Sequence, residues 1–328
     1  QTLIENNLIY GMLTLPSNMF YTVTLPATLW FFDKNKQDDR ILFIDARNIF
    51  TQIDRAHREF SEEQVQNIAI ISKLHKGKRA EFIRLVDSYF RKGMEQLVAN
   101  REKVEPVSEQ LLDVLDDTQG KQTVGELVSQ WQGLKALQQA SDEYREAADL
   151  HLTTPEAIET ANRTQHELRA KFDPFFQQLH TGLKQLDKVV RQHEKARAEE
   201  ARQAGKRTTT DRNARRLKEA LEELHKEVRS AEAYYQHIHW LQERFPKAEY
   251  EDVTGLCKLA TPEEVKEQDY SLNPGRYVGV VIEEDGKTEE EFLTGIEDLN
   301  DELTSLDSEA EVLASLIRKN ISALVESK

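Results

Sequence analysis

Three short apolar runs open the chain. Residues 8–15 (Leu-Ile-Tyr-Gly-Met-Leu-Thr-Leu), 27–32 (Ala-Thr-Leu-Trp-Phe-Phe) and 41–45 (Ile-Leu-Phe-Ile-Asp) are each bounded by polar or turn-forming residues. That pattern predicts three buried strands. The polar stretch Asp33–Arg40 is expected to turn a hairpin between the second and third. Three strands cannot bury both faces of a sheet by themselves, so they read as the trailing edge of a larger sheet. The remainder is expected upstream of Gln1, and the chain, which starts with Gln and not Met, reads as a fragment of something longer.

From Ser61 the period changes to that of helices. Ser61-Glu-Glu-Gln64, Thr123-Val-Gly-Glu126, Thr261-Pro-Glu-Glu264 and Thr288-Glu-Glu-Glu291 are capping-box sequences. Thr154-Pro155 and Asp173-Pro174 place a cap residue before a proline at the first helical position. Helix starts are therefore predicted near 62, 107, 124, 155, 174, 211, 262 and 289. Apolar residues recur every three or four positions from Phe172 to Val190 and from Leu217 to Leu241, with Gly205-Lys-Arg-Thr-Thr-Thr210 between them. This predicts a long antiparallel, coiled-coil-like hairpin with a basic tip. A further seam runs from Phe292 through Leu299, Leu303, Leu306, Leu313 and Ile317 to Leu324. A lone amphipathic helix of that length must bury its stripe against something. The expected class is mainly α: an incomplete N-terminal sheet over 1–75, a helical domain with the long hairpin over 76–260, and a segment ending in an amphipathic helix over 261–328.

Composition supports solvated helices. Of 328 residues, 31% are charged and 38% apolar, with only 13 Gly and 8 Pro. The single cysteine, Cys257, cannot close an intrachain disulfide, which suits a reducing cytoplasm. No stretch reads as a membrane span, because the most apolar one contains Pro16, Asn18 and Pro26. The net charge of −15 argues against indiscriminate nucleic-acid binding by the whole chain. Charge is nevertheless segregated. Residues 184–218 hold 12 Lys/Arg against 5 Asp/Glu, and residues 283–328 hold 14 Asp/Glu against 4 Lys/Arg. The basic stretch, including Lys206 and Arg207, suits contact with a DNA backbone. A solvated hairpin tip, diluted by Glu194, Glu199, Glu200 and Asp211, is the favoured reading.

Candidate chemistry is concentrated at two places. Leu15-Pro-Ser-Asn-Met-Phe20-Tyr21-Thr-Val-Thr-Leu-Pro26 is a polar, aromatic loop between two strands. Exposed aromatics above a sheet edge are suited to stacking on a flat ligand such as a base. The alternative is that Phe20 and Tyr21 fold back on the core. The second place is Tyr270-Ser-Leu-Asn273-Pro-Gly-Arg276-Tyr277-Val278. Here Arg276 is a candidate for phosphate or subunit contact on a turn shaped by Asn273, and Tyr277 for a buried anchor. Nine scattered histidines and one cysteine give no metal-ligand spacing, and no nucleophile elbow or phosphate loop occurs.

The run Leu15–Phe32, followed by Ile41-Leu-Phe-Ile-Asp-Ala-Arg47, resembles the end of the catalytic domain of the modification (methyltransferase) subunits of type I restriction–modification systems. The Pro-x-Arg-Tyr-Val run at 274–278 is similar to a second signature of the same subunits. The resemblance implies an α/β methyltransferase sheet at the N-terminus and transfer of methyl from S-adenosylmethionine to the N6 amine of adenine in DNA. It implies Phe20, with Tyr21 as runner-up, as an aromatic wall of the target-base pocket. It also implies a specificity subunit docked on the terminal seam, a second modification subunit, and a restriction subunit in the full complex. The family's glycine-rich cofactor turn and Asn/Asp-Pro-Pro-aromatic tetrapeptide are absent. No Gly-x-Gly occurs, and Asn273-Pro-Gly-Arg276 lacks the second proline and the aromatic. This chain alone is accordingly expected to hold no catalytic motif and to be inactive. The competing reading, from residues 80–328 alone, is a non-enzymatic helical scaffold or coiled-coil adaptor.

Overall fold

The computed structural model describes residues 1–21, 23–115, 118–148, 152–203 and 212–280, with scattered helical positions between 300 and 318. The chain forms two units, Gln1–Gly279 and Val280–Lys328. The first holds a small mixed sheet backed by helices, a mainly α arrangement.

After a short helix α1 (Thr2–Glu5), β1 (Ile9–Thr14), β2 (Thr28–Phe32) and β3 (Ile41–Asp45) form where the apolar runs predict. Their pairing differs from expectation. β2 and β3 lie on opposite sides of β1, antiparallel and parallel to it respectively. The 33–40 segment is thus no hairpin turn. It passes below the start of β1, where Asp33 N donates to Leu8 O and Asn7 Nδ2 to Asp38 O, and Lys36 Nζ donates to Asn7 Oδ1. The polar character of the stretch serves this crossing. Three strands are absent from the sequence reading: β4 (Thr51–Asp54) and β5 (His57–Glu59), which form a hairpin, and β6 (Cys257–Ala260). β6 pairs antiparallel with β3, giving the sheet order β2-β1-β3-β6.

Alternation sorts the sheet into two faces. Leu13, Leu15, Leu42 and Ile44 join the large helical core, whereas Met12, Ile41 and Phe43 join a smaller one with Val265, Tyr277 and Val278. Ile9 shares the second face with Met12 because a register shift between Ile9 and Gly11 changes the parity. Gly11 is required by contact: a Cβ there would stand 3.0 Å from Leu42 O.

The helices are α2 (Glu62–His75), α3 (Arg79–Val114), α4 (Thr118–Gln132), α5 (Leu134–Ala147), α6 (Pro155–Gln203), α7 (Arg212–Arg244) and α8 (Pro262–Glu267). The capping boxes at Ser61 and Thr261 form completely, and Thr154 Oγ1 accepts from Ala157 N. The starts expected at 107, 124 and 174 fall inside continuous helices. There the supposed caps bond elsewhere: Thr123 Oγ1 donates to Gln119 O, and Asp173 accepts from the Tyr235 hydroxyl. Pro106 and Pro174 sit within helices. The starts near 211 and 289 and the tip at 205–210, with Lys206 and Arg207, lie outside the described residues.

α6 and α7 run antiparallel, as the pairs His180–Glu232 and Asp187–His225 show. They do not project as an isolated hairpin, however. α7 lies chiefly against α3, burying Leu224, Val228, Ala231, Ile238 and Leu241 in the common core. No helix among the described residues is long and apolar enough to cross a membrane.

Burial holds His75, His166 and His237 below the ordinary histidine value. His237 Nδ1 is in hydrogen-bond reach of Asn67 Nδ2, and Asn67 Oδ1 accepts from the Tyr89 hydroxyl in the core. A histidine with a depressed folded pKa stabilises the fold fully above its unfolded value of about 6.5. That stability is lost as pH falls through the folded value. Urea midpoints are therefore expected to fall between about pH 7 and pH 5. His237→Asn should flatten that fall, and an identical pH slope in the variant would exclude His237 as a contributor.

Candidate functional site

β1 and β3 are parallel, so the segments that leave their carboxyl ends share one edge of the sheet. The aromatic loop leaves β1. It is closed at its base by Leu15 N donating to Ala27 O at 2.8 Å and near its tip by Val23 N donating to Phe20 O at 3.1 Å. Phe20 is 51% exposed and Tyr21 97% exposed. Neither side chain folds into the core.

The β4–β5 hairpin, which follows β3, flanks this loop. Tyr21 and His57 bring their ring centroids to 5.5 Å. Arg58 N donates to Asn18 O, and Arg58 Nη1 donates to Ser17 Oγ, both at 3.0 Å. The Arg58 guanidinium also lies 4.0 Å from the centroid of the Phe50 ring. Sequence reasoning missed His57 and Arg58. β4 is exposed along its length, so no apolar alternation marks the hairpin. The only local signal is the Asp54-Arg-Ala turn, where Asp54 Oδ1 accepts from Ala56 N.

The Asn273–Tyr277 segment packs on the opposite face near the same edge. Asn273 Oδ1 accepts from Gly275 N at 3.1 Å and starts a 3-10 turn, Pro274–Arg276. Tyr277 stacks on Phe43 at 3.9 Å between centroids and 10° between planes, and burial raises its hydroxyl pKa. Residues 277–280 form no strand. The segment is a cap whose ring seals the sheet. Arg47, just after β3, forms a bidentate pair with Asp45 at the strand's end, Nε donating to Oδ1 at 2.9 Å and Nη2 to Oδ2 at 2.5 Å, which raises the guanidinium pKa. A Cβ on Gly275 would stand 2.9 Å from Arg47 Nη2, so glycine lets the turn close over this pair. Arg276 and Asn273 are exposed.

On the helical face, a cleft of about 560 Å³ opens between α2 and the sheet. Leu13, Phe31, Leu42 and Ile68 line it, and its polar side chains are those of Tyr10, Ser72 and Lys73. Tyr10 is already engaged with Ser72 and His75. With no carboxylate to meet ribose hydroxyls and no glycine turn, these residues do not fit S-adenosylmethionine. β2 is the edge strand beside this cleft. Leu29, Trp30, Phe31 and Phe32 are all exposed, and between them they cover both faces. Among the described residues, no group of three His, Cys, Asp or Glu could hold a metal.

In the second unit, Leu303, Leu306, Leu313 and Ile317 are helical and exposed, at spacings of three, seven and four residues. Leu299 lies outside the described residues.

The sequence that builds this sheet and its loops matches a known family. The profile of the N-6 DNA methylases covers residues 1–93 and 197–286, more than half of the chain. The chain belongs to the N-6 DNA methylase family. Among curated proteins, it is 41% identical over 71 residues to the type I restriction enzyme MjaIX methylase subunit of Methanocaldococcus jannaschii. It is 36% identical over 70 residues to the type I restriction enzyme HindI methylase subunit of Haemophilus influenzae. Each match covers 21% of this chain, but only 13% and 16% of the respective relative. No solved structure matches.

Proposed function

We propose that this chain is the C-terminal part of the modification subunit of a type I restriction–modification complex. The complete subunit transfers methyl from S-adenosylmethionine to the N6 amine of adenine in duplex DNA. The observation that carries the reading is the exposed Phe20–Tyr21 loop at the carboxyl end of β1, beside an edge strand bare on both faces. A flat base needs an aromatic wall once it leaves the helix, and an apolar edge strand needs a neighbour. This chain carries neither the glycine turn nor the tetrapeptide that hold cofactor and target amine in the family, so it is expected to be inactive by itself. Residues 1–75, joined by β6, form the catalytic rim, and the helices between 76 and β6 form the helical body.

Residues 261–328 carry the docking arm. Its stripe, including Leu299, Leu303, Leu306, Leu313 and Ile317, suits a specificity subunit, with the surrounding Asp and Glu setting partner choice. A second modification subunit and, for cleavage, a restriction subunit complete the assembly in the cytoplasm. Lys206, Arg207, Asn273 and Arg276 are assigned to DNA or subunit contact.

The intact subunit co-expressed with its specificity subunit is expected to transfer labelled methyl to adenine in plasmid DNA from an unmethylated host. This chain alone is expected to transfer none. Deleting residues 289–328 should abolish co-purification with the specificity subunit while circular dichroism still reports the folded 1–279 unit. Unchanged co-purification would remove the docking role.

A further inference from the structure

Among its described residues, the aromatic loop has few internal restraints. Its base and tip each close through one backbone hydrogen bond, and Asn18 occupies the left-handed region at φ 61°. In that conformation its carbonyl meets Arg58 of the neighbouring hairpin. Arg58 commits three donors within the protein: N to Asn18 O, Nη1 to Ser17 Oγ, and Nε to Gln52 Oε1 at 3.1 Å. Gln52 is itself fixed, because its Nε2 donates to His57 O at 3.1 Å and also to Asp54 O. The Phe50 ring closes the other side of the guanidinium. A planar fork held at several points loses little further freedom when it holds something else. Arg58 thus connects a self-braced hairpin to the two residues that lead into Met19-Phe20-Tyr21.

We propose that Arg58 is a positioning residue for methyl transfer: by bridging the β4–β5 hairpin to Ser17 and Asn18, it holds the Phe20–Tyr21 loop in the conformation that receives the extruded base. The inference rests on the reading of that loop as a wall of the target-base pocket. Arg58 does not touch the base. It acts through Phe20, and misplacing a positioned group by about 1 Å can cost up to about 100-fold in rate. The reaction rate should therefore suffer while DNA affinity does not.

The test uses the intact methyltransferase assembled with its specificity subunit, and unmethylated plasmid DNA as substrate. Arg58→Ala, Arg58→Lys, Arg55→Ala and Phe20→Ala are compared. Arg55 is exposed at the same hairpin turn and controls for loss of positive charge. Arg58→Ala is expected to lower kcat by about 10- to 100-fold, with KM for DNA changed by about two-fold or less. Amide exchange over residues 17–26 should accelerate. Arg58→Lys, which keeps one donor for Ser17 but loses the fork, should give an intermediate kcat, and Arg55→Ala should match wild type.

A wild-type kcat in Arg58→Ala, with Phe20→Ala slowed, overturns the inference and leaves the pocket reading standing. A wild-type kcat in Phe20→Ala overturns both. A salt-dependent rise in KM alone, or unchanged exchange over 17–26, overturns the inference and makes Arg58 a phosphate contact or a bystander. If Arg58→Ala does not assemble, Arg58→Lys decides: reduced kcat at constant KM supports the proposal, and wild-type kcat overturns it.

Discussion

Phe20→Ala in the intact enzyme is expected to slow methyl transfer by about 10- to 100-fold while DNA binding changes by about two-fold or less. Stacking of a base on an aromatic ring contributes about 1–3 kcal/mol. At about 1.4 kcal/mol per factor of ten, that range covers the expected loss. DNA affinity is dominated by phosphate contacts spread over the whole complex, so one ring has little leverage on it. The ring meets the base only after extrusion, and the loss therefore falls on the chemical step. Phe20 is already half exposed, so the substitution removes little buried surface and stability should not change. Single-turnover rates with saturating cofactor, set beside a DNA titration, check the split. Wild-type turnover would remove Phe20 from the pocket, whereas an equal loss in affinity would make it a binding residue only. Tyr21→Ala is the companion measurement, because Tyr21 leans on His57 and not on the core.

The second large effect is on stability. Phe43→Ala is expected to cost about 3–5 kcal/mol. Phe43 is fully buried in the centre of β3, and Tyr277 stacks face to face upon it. Truncation leaves a cavity in a small cluster of few residues, with Met12, Ile41 and Val265 around it. The stacked pair adds about 0.5–1.5 kcal/mol beyond area, so Tyr277→Ala should lose a comparable amount. The double variant should lose less than the two single variants combined, since each removes the other's partner. Urea denaturation of the four proteins measures the coupling. Strict additivity would show that Tyr277 is not sealing the sheet through Phe43.

The predicted elements show where sequence suffices and where it stops. β1, β2 and β3 were legible as strands because short apolar runs bounded by turn residues encode them locally, but β2, expected to be buried, is exposed, since burial depends on neighbours that no local window contains. Ser61, Thr154 and Thr261 were legible as caps because their code is local too. Thr123 and Asp173 carry the same local code, but their side-chain oxygens bond to a preceding carbonyl and to Tyr235, and the helices run on. Parallel pairing of β1 with β3 and the late arrival of β6 depend on contacts far apart in the chain, which no window contains. At the candidate site, the aromatic loop announced itself by placing Phe and Tyr among polar residues. Arg58 did not, because a lone arginine on a polar hairpin resembles any solvated one until its three acceptors are located. The helical-adaptor reading explained residues 80–328 but had no use for the strands, and it is those strands that fall within the family match.

The order of synthesis sets when β3 can pair with β6. Ile41 meets Ala260 only after the whole helical bundle between them has emerged. At about 5–20 residues per second, the ribosome needs on the order of ten to forty seconds for that stretch. A nascent chain therefore carries β3 unpaired on that side until its last helices are translated. Any premature stop before residue 257 would release a polypeptide whose sheet can never close.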